Sequence, residues 1–402
     1  MKKIIFSIFL LNMILPAQAW AAVSLAQAQS GKFVIQSESY NRLWYVDPVE
    51  NARYVIRNAK GFMDFVQAKA TGISNKDIAK IKTTAKGVAN AKLTNRFKGQ
   101  FLLAVESKGE IWYVDPVTGI RTYLKDGQVA YDFFAKKATK LKDKEIAKIP
   151  VTKKQIVSSY TFDNVTYAIF EDGVYQGGSY ADEILPIASL SKLMTALVLL
   201  DHEIDWQKKI TITEAHIYYP KIYVGNDATS EVAIKAGQTV SFYDLWVAML
   251  LASSNQSAIA LAESTGSSRY DFVAEMNAKA KELGLTKTKF YDVAGLDEGN
   301  VSTAREMALI AQAAFSEEEI VEATAKGQYT MSLLNSNGTT STCAAVNRNT
   351  SLMAFGPEAA KSGYLVEAQR TAAVKKGDKI IAILHARSMP ERNKILEKYI
   401  NN

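Results

Sequence analysis

One cysteine, Cys343, and three histidines, His202, His216 and His385, are all that 402 residues offer of the commonest soft metal ligands. A single thiol cannot close an internal disulfide, and a chain this long buries enough core to do without one. Cys343 stands in a Ser/Thr-rich stretch with no histidine near it in sequence, so it reads as an incidental free thiol. No HExxH or HxH pairing occurs, which argues against a zinc hydrolase, and no cofactor is called for. No GxSxG pentapeptide occurs either, which sets aside the nucleophile elbow of α/β-hydrolases. After the first twenty-one residues no apolar run is long enough to cross a bilayer.

What is present is ordinary globular composition: 48% hydrophobic, 22% charged, with room for two or three domains. The net charge is +7 and the pI about 9.0. Basic residues are interspersed with acidic ones, so nucleic acid is not implied, whereas anionic wall polymers fit such a surface. Lys2 and Lys3, the apolar run Ile4 to Leu15, Pro16, and the small-x-small sites around Ala17, Ala19 and Ala21 read as a secretory signal peptide over 1–21. Its removal takes two lysines and leaves +5. Export places the protein in the periplasm, the wall or the medium.

The next third is a duplication. Leu43-Trp44-Tyr45-Val46-Asp47-Pro48-Val49 recurs 68 residues on as Ile111-Trp112-Tyr113-Val114-Asp115-Pro116-Val117. The same gapless offset aligns Gly31 with Gly99, Asp64-Phe65 with Asp132-Phe133, and Asp77 to Ile81 with Glu145 to Ile149. Each copy reads as strand, Asp-Pro turn, short strand (Arg53 to Ile56; Arg121 to Leu124), helix, and a last short helix capped near Ser74 or Asp143. The expectation is two small α+β modules, 28–82 and 96–150, joined by the Lys/Ala-rich segment 82–97. The paired aromatics read first as core and second as a binding face. The copies resemble WYVDP-type repeats of exported bacterial proteins, which implies location and no chemistry.

A boundary falls near Pro150 to Ile156, and residues 156–402 have a different character. Strands flank a turn at Glu171-Asp172-Gly173, apolar helices are expected over 187–202, 242–263, 269–283 and 303–315, and strands return at 371–374 and 379–384 before a closing helix over 390–400. Strands at both ends around a helical block predict one sheet closed by the two ends of the domain.

Ser189-Leu190-Ser191-Lys192 opens the first of those helices. A serine hydroxyl needs a base, and residues three apart share a helix face, so the Lys192 amine can meet Ser189. Burial or a second cation would depress that amine into the basic range required. Ser253-Ser254-Asn255 adds a hydroxyl able to relay a proton and an amide able to hold a peptide group; the bland alternative for Asn255 is helix capping. Lys361-Ser362-Gly363 adds charge and a hydroxyl for a carboxylate, with a glycine that lets backbone come close.

Each motif is weak alone. Their order, SxxK then SxN then K[S/T]G, resembles the penicillin-recognising serine enzymes, and Pro186 to Ala196, Leu250 to Ala262 and Gly295 to Ala308 are similar to segments of the D-alanyl-D-alanine carboxypeptidase family. The resemblance runs from about Ser158 to Asn402. It implies a β-lactamase/penicillin-binding transpeptidase-like α/β (α+β) fold, an antiparallel sheet flanked by helices with a helical subdomain. It further implies that Ser189 is acylated by peptidoglycan stem peptides, Lys192 is the general base, and Ser253 passes a proton to the leaving amine. Asn255 would position substrate, Lys361 would keep Lys192 neutral and attract a carboxylate, and Ser362 would bind it. Backbone N–H groups of Ser189 and Tyr364, beside Gly363, would hold the oxyanion, and β-lactams would be trapped as covalent inhibitors. The chain has KSG where KTG is commoner, Tyr364-Leu365 follows where a hydroxyl residue is frequent, and the short C-terminal end resembles endopeptidase-like members. Two other readings stay open. One is a class A-like β-lactamase, although Glu298 lacks the expected asparagine after it. The other is a non-catalytic wall-binding protein.

Overall fold

A computed structural model describes residues 24–401 apart from 39–41, 57–58, 88, 107–108, 153–161 and 225–227. The signal-peptide reading of 1–21 and most of the boundary at 150–156 lie outside the described residues.

The duplicated third folds as one body, not as two modules on a linker. Strands Phe33–Gln36, Arg42–Val46 and Arg53–Ile56 form an antiparallel meander, as do Phe101–Ala104, Ile111–Val114 and Arg121–Leu124. Each meander takes its fourth strand from the other copy. Thr139–Leu141 pairs in parallel with Phe33–Gln36, and Thr71–Ile73 with Phe101–Ala104. The reason is burial: neither copy has enough apolar surface alone, and exchange gives both one shared core. That core contains Phe33, Tyr45, Phe62 and Phe65 from the first copy and Phe101, Tyr113 and Phe134 from the second. The rings of Phe33 and Phe134 stack at 4.0 Å between centroids. At the pseudo-two-fold centre Gly31 and Gly99 touch; a Cβ on Gly31 would lie 2.5 Å from the Gly99 Cα, and both residues have φ near +70°. Only glycine satisfies both constraints. The segment expected as a linker carries helix Ala91–Phe97, the counterpart of Leu25–Ala28, so each copy starts earlier than its motif suggested.

Trp44, Tyr45 and Tyr113 are buried and Trp112 is partly buried, so the paired aromatics pack as core. Ser74 caps Asn75–Ile78 through the Asp77 N–H, as read. In the second copy the cap position is Lys142, and Asp143 instead turns inward, accepting from Gln36 Nε2 at 2.8 Å and pairing with Arg269.

Beyond the boundary, a five-stranded antiparallel sheet runs in the order Val174–Ser179, Thr166–Glu171, Lys379–Ala386, Gln369–Lys376, Ala359–Leu365. The two ends of the domain lie side by side at its centre, as predicted. Strand Lys379–Ala386 reads Lys-Ile-Ile-Ala-Ile-Leu-His-Ala because both its faces are covered. Ile380, Ala382 and Leu384 face helices Ser191–Leu200 and Ala304–Ala314, while Ile381 and Ile383 face the closing helix Met389–Tyr399. A second four-stranded sheet, Lys209–Thr211, Thr239–Ser241, Gln328–Leu334 and Thr340–Val346, escaped the sequence reading; two of its strands have only three residues and its long hairpin is largely exposed.

The first copy is built into this domain. Val34, Trp44 and Val46, with Leu141, Ile146 and Ile149, continue the domain's own core. Arg53, fully buried, donates to the carbonyls of Ile146 and Ile149 in the repeat body and of Lys221 and Ile222 across the junction. Arg42 ion-pairs with Asp297 and lies 4.3 Å over the Tyr223 ring.

Candidate active site

The nucleophile segment enters the site on strained backbone. Ala188 has φ +50°, Ala188–Leu190 form one 3-10 turn, and the helix proper starts at Ser191, placing Ser189 at its mouth. The three-residue spacing then does what it predicted: Lys192 Nζ lies 3.0 Å from Ser189 Oγ. The same amine donates to Asn255 Oδ1 at 2.8 Å and to the Ala294 carbonyl at 2.6 Å. Lys192 is completely buried, and burial lowers its pKa to about 8, against the opposing pull of Glu231 and Asp292. A lysine of that pKa is partly neutral near neutral pH and can accept the serine proton.

Ser253 stands where the helix expected to run unbroken over 242–263 breaks into Phe242–Leu251 and Asn255–Ser264. Its φ is +58°, a conformation unfavourable for serine, and Ser254 rather than Asn255 supplies the cap, accepting from the Ser257 N–H. The break turns the Ser253 hydroxyl to Lys361, whose Nζ lies 2.9 Å away. Lys361 is also completely buried; burial first, and the neighbouring Lys192 second, press its pKa well below the ordinary lysine range. The expected influence of a Lys361 charge on Lys192 is thus joined by burial as a cause. Burial is the leading cause for both amines.

Asn255 joins the site through Lys192. Its Nδ2 donates to Glu231 Oε1 at 2.8 Å, so in this state its amide is engaged by protein groups on both sides. Ser362 donates its hydroxyl to Asn349 Oδ1 at 2.8 Å, the same oxygen that accepts its backbone N–H. Gly363 has a steric role: a Cβ there would lie 2.8 Å from the Ser189 nitrogen and 2.6 Å from Thr371 Oγ1. Its strand, Ala359–Leu365, can therefore lie against the nucleophile turn, bringing the Tyr364 backbone to the same edge. The Tyr364 ring is half-exposed, with the Arg370 guanidinium 4.5 Å above it.

Four groups that hold this arrangement were missed. Glu231, its pKa raised by burial, accepts from Asn255, Ser254 and Gln256 and so props the turn carrying Ser253. Asp292 accepts from the N–H groups of Ala294, Gly295, Leu296 and Asp297, which shapes the loop whose Ala294 carbonyl meets Lys192. Asn300 ties that loop to the nucleophile turn, donating to Ser191 Oγ at 2.9 Å while the Ile187 N–H donates to its carbonyl at 3.0 Å. Asn349 holds Ser362. Glu231, Asn300 and Asn349 act across 13 residues or more, where no local pattern signals them; Asp292 acts locally, and the Asp292-x-x-Gly295 step, an Asx-type turn signature, was the available hint.

Comparison with known proteins places this geometry. Residues 177–387, just over half of the chain, match the peptidase S11 family, described as D-alanyl-D-alanine carboxypeptidase. Among curated relatives, a D-alanyl-D-alanine carboxypeptidase (DacF) of Bacillus subtilis (strain 168) is 31% identical over 232 residues, 55% of this chain and 56% of that protein. A D-alanyl-D-alanine endopeptidase of Escherichia coli (strain K12) is 35% identical over 130 residues, 32% of this chain and 39% of that protein. The chain therefore spans little more than half the length of the first of these curated relatives and less of the second. Among solved structures, the Streptomyces K15 DD-transpeptidase superposes with a TM-score of 0.54 at 27% identity, covering 61% of this chain and 98% of that one. The penicillin-binding-type α/β architecture expected from the motifs is thus the observed fold, and the chain belongs to the D-alanyl-D-alanine carboxypeptidase family of serine peptidases.

Proposed function

We propose that the protein is an exported serine D,D-peptidase that cleaves D-alanyl peptide bonds of peptidoglycan stem peptides through an acyl-enzyme on Ser189. The observation that carries this reading is the buried Lys192 amine, 3.0 Å from Ser189 Oγ with a pKa brought down to about 8.

In this reading neutral Lys192 takes the Ser189 proton as Oγ bonds to the scissile carbonyl carbon. The developing oxyanion is held by the backbone N–H groups of Ser189 and Tyr364. The C–N bond then breaks, and Ser253 passes a proton from the Lys192–Lys361 pair to the departing amine. Water on the reverse path frees the serine. Asn255 positions Lys192 and, by exchanging a partner, the substrate; Lys361 and Ser362 meet the substrate carboxylate, the latter by rotating its hydroxyl away from Asn349. Both activities named among the relatives, carboxypeptidase and endopeptidase, are compatible with this machinery. Residues 1–21 serve as the export signal, β-lactams act as covalent inhibitors, and the repeat body faces anionic wall polymers.

The test is intact-mass analysis of the mature protein incubated with a labelled penicillin, beside Ser189→Ala. A slowly decaying adduct absent from the variant supports the acyl-serine reading. Fast penicillin turnover would convert it to the β-lactamase reading, and no adduct with no turnover would sink the enzyme reading.

A further inference from the structure

The two copies of the repeat share a backbone but not the contents of one equivalent space. In the first copy, the pocket beside the Asp-Pro turn is filled from within. Tyr54 pairs across strands with Tyr45, its side chain is buried, and its hydroxyl donates to Glu50. Lys69 Nζ lies 2.6 Å from Glu50 Oε1, 3.4 Å from Asp47 and 4.4 Å over the Tyr54 ring. Thr152 closes the group, donating to Glu50 Oε2 at 2.9 Å. A phenol ring, a carboxylate and an ammonium thus fill the space and satisfy one another.

Sixty-eight residues on, the framework is kept and the filling is gone. Asp115 and Lys137 replace Asp47 and Lys69, and Tyr113 replaces Tyr45. However, Thr122 stands for Tyr54 and Thr118 for Glu50. Thr122 pairs with Tyr113 as Tyr54 does with Tyr45, so the register is unchanged. What remains is an open cavity of about 400 Å³ lined by Lys32, Tyr113, Asp115, Thr118, Thr122 and Lys137, among others. Lys137 sits 4.3 Å over the Phe133 ring and has no carboxylate within ion-pairing distance among the described residues. Lys32, from the first copy, adds a second ammonium at the rim, held by the Ala28 carbonyl at 2.9 Å. Loss of one glutamate takes the local balance from acidic to neutral, and Lys32 makes it basic, while loss of the tyrosine ring opens the space.

We infer that this cavity is a binding site for a small ligand that carries a carboxylate and a ring-sized apolar body. The carboxylate would pair with Lys137 as Glu50 pairs with Lys69. The body would fill the volume that Tyr54 fills in the first copy. The sister site is the argument for the ligand class, because it shows which chemistry this backbone closes upon. The inference does not depend on the peptidase reading; the cavity is lined by repeat residues alone.

The probe is 4-hydroxyphenylacetate, with 4-hydroxyphenylacetamide as its uncharged control, titrated into the whole protein and followed by the backbone amide resonances of Thr118, Thr122 and Thr139. Saturable shifts are expected with the acid, and binding about tenfold weaker with the amide, the size of one charge-assisted hydrogen bond. Lys137→Met should remove the preference for the acid. The double variant T118E/T122Y, which restores the first copy's filling, should abolish the shifts. All three proteins should retain the same penicillin adduct on Ser189, which separates failure here from failure of the peptidase reading. No shifts in the parent protein, equal binding of acid and amide, or shifts that survive T118E/T122Y would overturn the inference.

Discussion

The two copies of the repeat meet the peptidase domain with different side chains, although one backbone serves both. Both place an arginine beside the tryptophan of the motif: Arg53 lies 4.8 Å from the Trp44 ring and reaches the Ile149 carbonyl, and Arg121 lies 4.1 Å from the Trp112 ring and reaches the Ile81 carbonyl, its 68-residue counterpart. Only the first copy adds Arg42, where the second has Glu110. Arg42 enters the peptidase domain and pairs with Asp297, a residue of the loop that presents the Ala294 carbonyl to Lys192. Trp44 is buried there, while Trp112 is only partly buried. A single charge reversal and two small substitutions therefore divide the labour. One copy is part of the catalytic floor and the other presents a cavity.

The sharpest way to break this comparison is Arg42→Met against Glu110→Ala. The first leaves Asp297 buried without its partner, and the apparent melting temperature should fall by on the order of 10 °C. The second should change stability by no more than about 0.5 kcal/mol. Equal effects would mean that the docking is not specific to the first copy. Next in size, Tyr54→Ala removes a buried ring and should cost about 3 kcal/mol in denaturant titration. Thr122→Ala, at the open counterpart, should cost well under half as much.

A third contrast concerns pH and rate. The general base must be neutral, so acylation by penicillin should rise with pH through about 8 in the parent protein. Arg42→Met removes a cation and leaves the Asp297 carboxylate unpaired in the loop beneath Lys192, so the midpoint should move to higher pH, whereas Glu110→Ala should leave it in place. The smallest effect expected is acid sensitivity. Burial of Glu50 works against ionisation, but hydrogen bonds from Lys69, Tyr54 and Thr152 outweigh it and lower its pKa to about 2. A depressed carboxylate stabilises the fold above its unfolded pKa and loses that contribution as pH falls towards 2. Glu50→Gln should therefore flatten the parent's loss of stability between about pH 4.5 and 2. Thr118→Gln in the second copy should not alter it.

Much of the site was legible because its chemistry is local. Ser189 and Lys192 meet through helix spacing alone, and Gly363 is required wherever a strand lies against the nucleophile turn. The strand pattern of 379–386 and the duplication were likewise written in short-range order. Less legible were features set by long-range contact. The helix over 242–263 was expected to be continuous because its apolar residues recur at helical spacing on both sides of Ser253-Ser254-Asn255; packing breaks it at Ser253 and turns that hydroxyl to Lys361. Asn255 read as a substrate ligand and lies against Lys192 and Glu231.

The family, the order of the three motifs and the existence of two equivalent repeats were readable from the residues, because motif spacing and a gapless 68-residue offset are properties of the chain alone. Folding alone settled that the copies exchange strands and share a core, that Arg42 ties one of them to the loop beneath Lys192, and that Lys192 and Lys361 are both fully buried. Those outcomes depend on which surfaces are buried together and how completely water is excluded, and neither quantity is carried by the order of residues until the chain has folded.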